Sequence, residues 1–294
     1  MTEVSVSRAP LLAAGRRQQM WGALWFLPLM IFSLIFLFLP SIGLFAGSVA
    51  GRHGPTLTYY ADLFQAQYLD AYKVSIELSA ATAVIGALAG LLLAWAVVGG
   101  GLPRVLRPLT LTFSGVASNF AGIPLAFAFT STLGPVGLVT LFLKSLHLNL
   151  YAAGFSLFGF WGLVVTYLYF QIPLMVLLIV PALDHLHTWR EAAMNLGATP
   201  LQFWRYVALP ILRLPMLGAL MLLFGNSFGA YATAYALTSG MINLVPILIG
   251  QELSGNVVFS PNLADAMAVG MVLIMVAIFV VYIVANRRSV RWQA

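Results

Sequence analysis

Asp184, His185, His187 and Glu191 stand together in the stretch DHLHTWRE, and all four residues are of types that can ligate a metal. The spacing argues against it. His185 and His187 are two apart, so on a helix their rings point away from each other, and the stretch reads as the polar start of a helix. Phosphate chemistry fails a similar test: GPVGLVTLFLKS, at Gly134–Ser145, has no glycine beside its lysine and is no nucleotide-phosphate loop. No His-Glu-x-x-His pair is present, and there is no cysteine to serve as nucleophile, thiolate ligand or disulfide partner. These residues predict a chain that is not an enzyme, with no metal and no cofactor of its own.

The polar residues that remain lie inside apolar stretches, where they are costly and tend to be functional. Ser227, Tyr231, Tyr235 and Thr238 follow one another at i, i+4, i+8 and i+11, one continuous stripe if the segment is a single helix, with Asn226 and Thr233 beside it. Tyr167 and Gln171 form an i, i+4 pair, and Ser118 and Asn119 are adjacent. Such residues can line a solute path. They can equally be hydrogen bonds between helices, which small and polar residues commonly supply in membranes. Two carboxylates stand apart from these. Asp265 falls in a first helical turn, where the helix dipole alone favours an acid. Glu77 sits deeper and would suit the mouth of a path for a cation.

The elements that must position these residues are membrane helices. Apolar residues make up 61% of the chain and charged ones 7%, with a mean hydropathy of +0.96. A soluble surface cannot be coated from so little polar material. Spans of about twenty apolar residues are predicted at 22–48, 74–98, 109–131, 155–180, 211–237 and 263–285, an all-α bundle of six transmembrane helices. They leave a tail at 1–20, a transmembrane domain at 21–286 and a tail at 287–294. Short helices are expected in TYYADLFQAQYLDAYK before the second span and in GPVGLVTLFLKSLHL after the third.

Six spans put both termini on one side. With that side cytoplasmic, Arg8, Arg16, Arg17, Arg104, Arg107, Arg190, Arg205, Arg213, Arg287, Arg288 and Arg291 lie inside. That is 11 of the 14 basic residues, with Arg52, Lys73 and Lys144 outside, an asymmetry that fixes orientation. The net charge of +6 therefore reflects topology rather than nucleic-acid binding. The first span is about twice the length of a signal-peptide core, so it is retained.

Between the fourth and fifth spans, residues 184–210 are far longer than a simple connection requires. Thr188 with Glu191 makes a capping-box pattern, and Gly197 is placed to end a helix. Thr199 and Pro200 are placed as N-cap and first residue of another helix, which Pro210 would stop. Two short helices around Gly197 would let Ala192, Ala193 and Leu196 face Phe203, Trp204 and Val207.

The residues Glu191-Ala192-Ala193, Gly197, Val207 and Leu209-Pro210 keep every spacing of the cytoplasmic signature of ABC-importer permeases, with Val207 in place of isoleucine. The chain resembles that family along most of its length. The resemblance implies a type I ABC importer bundle in a bacterial-type cytoplasmic membrane, with short coupling helices that dock into the ATPase. Arg190, Glu191, Ala192, Ala193, Gly197, Arg205, Val207, Leu209 and Pro210 would carry that contact. It also implies partners: a dimer of ATPase subunits binding ATP and Mg, a second permease subunit, identical or related, and an extracytoplasmic solute-binding protein. GVASNFAGIPLAFAF, at Gly115–Phe129, is similar to the spermidine/putrescine-type subgroup, which implies a polyamine-like cation as solute. On that expectation Glu77, Asn119, Tyr167, Gln171, Asn226, Ser227, Tyr231 and Tyr235 line the path. The competing class is an ion-driven secondary transporter, for which internal repeats would be expected, and the two halves of the chain lack convincing self-similarity.

Overall fold

The computed structural model describes residues 26–51, 54–99, 103, 105–254 and 260–290. The tail at 1–20, the start of the first span, and Arg52, Arg104 and Arg291 lie outside the described residues, as do the side chains of His187, Arg287 and Arg288. Eleven helices form the described chain: α1 Phe26–Val49, α2 Thr58–Asp62, α3 Ala66–Gly99, α4 Leu106–Ala117, α5 Ile123–Leu133, α6 Leu138–Ser145, α7 Phe160–Asn195, α8 Pro200–Phe228, α9 Ala232–Thr238, α10 Val245–Ser254 and α11 Pro261–Val290. A two-residue hairpin, Ala50–Gly51 with Gly54–Pro55, closes the turn after α1.

The centre of the bundle is α3 packed on α7, with α8 laid against both. Lipid is as apolar as leucine, so apolar burial does not drive these helices together and close packing must do more of the work. The sequence supplies it with small residues. Ala83, Gly86, Ala87, Gly90 and Ala94 form a buried stripe along α3, against Met175, Val176 and Ile179 of α7 and Leu223 of α8. Contact there leaves no room for a side chain: a Cβ added at Gly90 would lie 2.5 Å from Met175 Cβ and 2.8 Å from the Ile172 carbonyl oxygen. The periphery is looser. α1 leaves its apolar side chains facing outward, as lipid-facing residues do, and its far end is held by Asn262, whose amide donates to the carbonyls of Gly47 at 2.8 Å and Ala50 at 2.7 Å.

Six segments are long and apolar enough to cross a membrane, in agreement with the expected count. The fourth runs as α7 over Phe160–Asn195 rather than 155–180, and three others also differ in their bounds. First, the segment expected as a separate helix before the second span is largely its beginning, since α3 runs unbroken from Ala66. Second, the third crossing is broken: α4 ends at Ala117, and α5 starts after Gly122, whose φ of +76° only glycine adopts easily. By length and apolarity Ile123–Ser145 also qualifies as a span, but α4 and α5 together run along α7. Arg107 pairs with Asp184 at one end, and the Tyr151 hydroxyl donates to the Leu133 carbonyl at the other. The crossing is therefore Leu106–Leu133, and α6 lies beyond it as the expected short helix.

Third, the fifth span starts earlier and ends earlier than 211–237. α8 runs from Pro200 to Phe228 through a π turn at Trp204–Ala208, so Pro210 does not stop it. Pro210 sits at the start of the α-helical part after the π turn, where its missing N–H is accommodated, and Pro215 is carried within the helix. The helix then breaks at Gly229–Tyr231 before α9.

Candidate functional site

The 184–210 region is a sharp reversal between two long helices rather than a pair of separate short ones. α7 continues through Asp184 to Asn195, so Thr188 lies inside a helix and does not cap one with Glu191. The α7 terminus is set by Gly197 at φ +82°. Its N–H bonds the Met194 carbonyl at 2.9 Å, and Ala198 N–H bonds the Ala193 carbonyl at 3.0 Å. This pair of bonds satisfies carbonyls that the helix end would otherwise leave open, and it requires a left-handed residue between them. Two residues on, Thr199 caps α8 as expected, with Pro200 following. Thr199 Oγ1 accepts from Gln202 N–H at 3.3 Å, while Gln202 Oε1 accepts from Thr199 N–H at 2.7 Å. Thr199→Ala is expected to cost about 1 kcal/mol of local stability, read as faster amide exchange confined to Leu196–Phe203.

The reversal has a buried base and an exposed tip. Phe203, Ala208 and Leu212 of α8 join Leu183 and Leu186 of α7 in the core, and Trp204 meets Trp95 of α3 edge to face at 5.8 Å. Ala193 and Val207 pack against this base as expected. Leu196 does not: it is 89% exposed, with Leu201 at 78% and Tyr206 at 67%. Ala192, Arg190, Glu191, Arg205, Leu209 and Pro210 are exposed as well, and the Arg205 guanidinium lies 5.6 Å from the Tyr206 ring centre. Leu196 and Leu201 thus stand bare beside Arg205 on a base continuous with three long helices, an exposed apolar patch of the kind that marks an interaction surface. A second tie to this region is the ion pair of Arg107 on α4 with Asp184 on α7, at 2.5 Å. Both groups are substantially exposed, which limits the pair to about 0–1 kcal/mol. It also occupies Asp184, and His185 is exposed. Among the described residues no cluster of His, Asp or Glu is arranged to hold a metal.

The expected path residues divide into two sets. Ser227, Tyr167 and Gln171 are buried and bonded within the bundle, although Gln171 Oε1 has no partner among the described residues. Ser227 shares a hydrogen bond with Thr82 at 2.7 Å, the Tyr167 hydroxyl donates to the Ala230 carbonyl at 2.9 Å, and the Gln171 amide donates to the Leu223 carbonyl at 2.8 Å. Thr238 is likewise buried on its own helix. The stripe Ser227–Tyr231–Tyr235–Thr238 is therefore not continuous, because the break at Gly229–Tyr231 resets the helical phase. Asn119, Asn226, Tyr231 and Tyr235 are exposed, and the two tyrosine rings stack at 5.4 Å. Glu77 is exposed too, outside the core.

Sequence reasoning missed that the two helix breaks meet. Gly122 N–H donates to Thr233 Oγ1 at 2.7 Å, which fastens the start of α5 to α9. Asn119 and Tyr231 flank that junction in sequence. The signal was present in the glycines at 122 and 229, but a single glycine in an apolar run does not distinguish a break from close packing. Residues 225–229, GNSFG, also spell Gly-x-Ser-x-Gly, a hydrolase pattern. Here Ser227 is buried mid-bundle with Thr82 as its partner, which is packing rather than a nucleophile's setting. Beyond the spans, burial pushes the Glu252 carboxyl of α10 above the usual carboxylate range, an effect the Tyr68 hydroxyl partly offsets.

The described chain is a membrane protein of six helices long and apolar enough to cross a bilayer, with an exposed apolar reversal between the fourth and fifth. Residues 86–293 match the family described as binding-protein-dependent transport system inner membrane component, and the chain belongs to that family. It is a multi-pass inner-membrane permease subunit of an ABC importer. The probable sulfate transport system permease protein cysT of Zygnema circumcarinatum is 26% identical over 270 residues, covering 88% of this chain and 87% of that one. The sulfate transport system permease protein CysT of Salmonella typhimurium is 28% identical over 177 residues, 59% of this chain and 60% of the other. Among solved structures, a bacterial ABC transporter for the acidic polysaccharide alginate superposes with a TM-score of 0.69 at 20% identity, covering 96% of this chain and 99% of its own. The alginate transporter in complex with its pentasaccharide-bound periplasmic protein gives 0.72 at 19% identity, with 93% and 96% covered. These likenesses support the fold, and the sulfate permeases do not support the polyamine expectation.

Proposed function

We propose that this chain imports a small inorganic oxyanion of the sulfate class, paired with a second permease chain and driven by separate ATPase subunits seated on the 184–210 tip. The observation that carries the solute class is the relationship to sulfate permeases over nearly the whole chain. The asymmetry of basic residues, 11 against 3, supports a cytoplasmic tip and cytoplasmic termini, on the side where ATP is. The solute-binding protein would approach from the opposite side; the alginate transporter is solved in complex with a periplasmic protein. Two tips meeting two ATPase sites call for a two-fold permease pair.

An oxyanion crossing such a bundle needs donors, not fixed charge. Asn226, Tyr231 and Tyr235 are exposed and uncharged, and each offers an N–H or O–H, whereas the exposed Asn119 amide already donates to the Gly115 carbonyl at 2.9 Å. Neutral donors hold a divalent anion without trapping it, as passage demands. The deciding experiment is uptake into proteoliposomes by the complex co-purified with its ATPase and binding protein. ATP-dependent uptake of labelled sulfate is expected, competed by other tetrahedral oxyanions and indifferent to spermidine. Asn226→Leu combined with Tyr231→Phe should lower that uptake by about tenfold, the effect of losing roughly one good hydrogen bond to an ion. Spermidine uptake without sulfate uptake would restore the cation, and uptake driven by an ion gradient without ATP would restore the secondary-transporter reading.

A further inference from the structure

A cavity of about 380 Å³ opens between α3, α7 and α8, beside the reversal but behind its exposed tip. Leu183, Leu186 and Phe203 form its buried floor, and Trp95 and Trp204 its walls. Arg190 stands at its exposed rim. Among the described residues the Arg190 guanidinium has no hydrogen bond or ion pair. The level of the cavity along the bundle is informative. Here α7 passes from its apolar run into Asp184, His185 and Arg190, and α3 reaches its last apolar turn at Gly99. Tryptophan and arginine gather at that depth because it is the boundary between acyl chains and headgroups. An apolar floor is wrong for a hydrated solute, and an unpaired cation at the rim is wrong for a neutral chain. The two together match an amphiphile with an anionic head.

We propose that this cavity binds one anionic phospholipid, its phosphate on Arg190 and the first part of an acyl chain between Trp95 and Trp204. The volume lies at the low end of small-molecule sites, so the rest of the lipid would lie along α3 in the bilayer. The site touches both arms of the reversal, so lipid occupancy stiffens the element that receives the ATPase. This inference rests on the helices crossing a membrane and is independent of the solute.

The test uses the full transport complex in nanodiscs of neutral phosphatidylcholine containing a minor fraction of brominated lipid, which quenches nearby tryptophan. The chain has 7 tryptophans, so the signal of interest is the emission lost in Trp95→Phe plus Trp204→Phe. Brominated phosphatidylglycerol is expected to quench that component about fivefold more effectively than brominated phosphatidylcholine, the preference one basic residue gives at a membrane surface. Arg190→Gln, read in the native tryptophan background, should abolish the preference even if the double tryptophan variant assembles poorly. Equal quenching by the two lipids, or a preference that survives Arg190→Gln, overturns the proposal.

Discussion

Gly197→Val is expected to reduce ATP-driven uptake by between ten- and a hundredfold while leaving the chain folded in the membrane. Gly197 holds φ +82°, a conformation that costs a β-branched residue about 1–3 kcal/mol. Relieving that strain means giving up the bonds from Gly197 and Ala198 to Met194 and Ala193, and with them the angle at which α7 turns into α8. Each 1.4 kcal/mol is a factor of ten in the population of the correctly turned tip, which gives the expected range. No neighbouring atom lies within 4 Å of a Cβ at this position, so crowding contributes nothing and the effect is one of backbone conformation alone. That separates two explanations. Asn tolerates the left-handed region, so Gly197→Asn should retain most of the uptake. If Asn fails as badly as Val, the residue acts through contact with the ATPase and not through the turn.

Gly90→Leu should have the larger effect on the protein itself, removing it from the membrane fraction. The Cβ alone would meet Met175 Cβ and the Ile172 carbonyl, and neither is the mobile end of a side chain. Overpacking of a well-packed core typically costs about 1–3 kcal/mol, and here the obstruction includes backbone. Helices α3 and α7 would have to separate along their central contact, and in lipid no hydrophobic driving force would push them back together. Gly43→Leu is the matched control, since a Cβ at Gly43 of α1 meets nothing within 4 Å and the residue faces outward. Membrane-fraction yield by immunoblot distinguishes the two variants. Equal yields would mean that the stripe from Ala83 to Ala94 is not what holds the bundle.

The residues explain which parts of this architecture were legible in sequence. Span number and the reversal at Gly197 were, because apolar length and a helix-ending glycine before a Thr-Pro start are local signals. The cap at Thr199 was legible for the same reason. Helix continuity was not. Pro173 and Pro181 lie within α7, and Pro215 within α8, so a rule calibrated on water-exposed helices places ends where a membrane bundle tolerates proline. The break in the third crossing and the one after Phe228 were hidden because glycine marks both breaks and tight packing. Gly90 and Gly122 look alike in sequence, yet one touches Met175 and the other turns the chain. The path was the least legible part. Ser227, Tyr167 and Gln171 have the right types and spacing, but their hydrogen bonds go to Thr82 and to the backbone of α8 and the turn after it. Polarity inside a membrane protein signals a need for partners, and only the fold says whether those partners are other helices or a solute.

An ATPase seated on the tip at 184–210, as proposed above, should be within reach of a cross-linker placed there. The chain contains no cysteine, so a single one can be introduced cleanly. Leu196→Cys and Leu201→Cys place it at the bare tip, and Leu141→Cys on α6 places it on the far side of the bundle. Native membranes carrying each variant would be treated with a short thiol-to-amine cross-linker and the adducts identified by mass spectrometry. The predicted result is an adduct between an ATP-binding subunit and positions 196 and 201, with none from position 141. Tip cysteines that label freely yet join no ATP-binding protein would contradict the account.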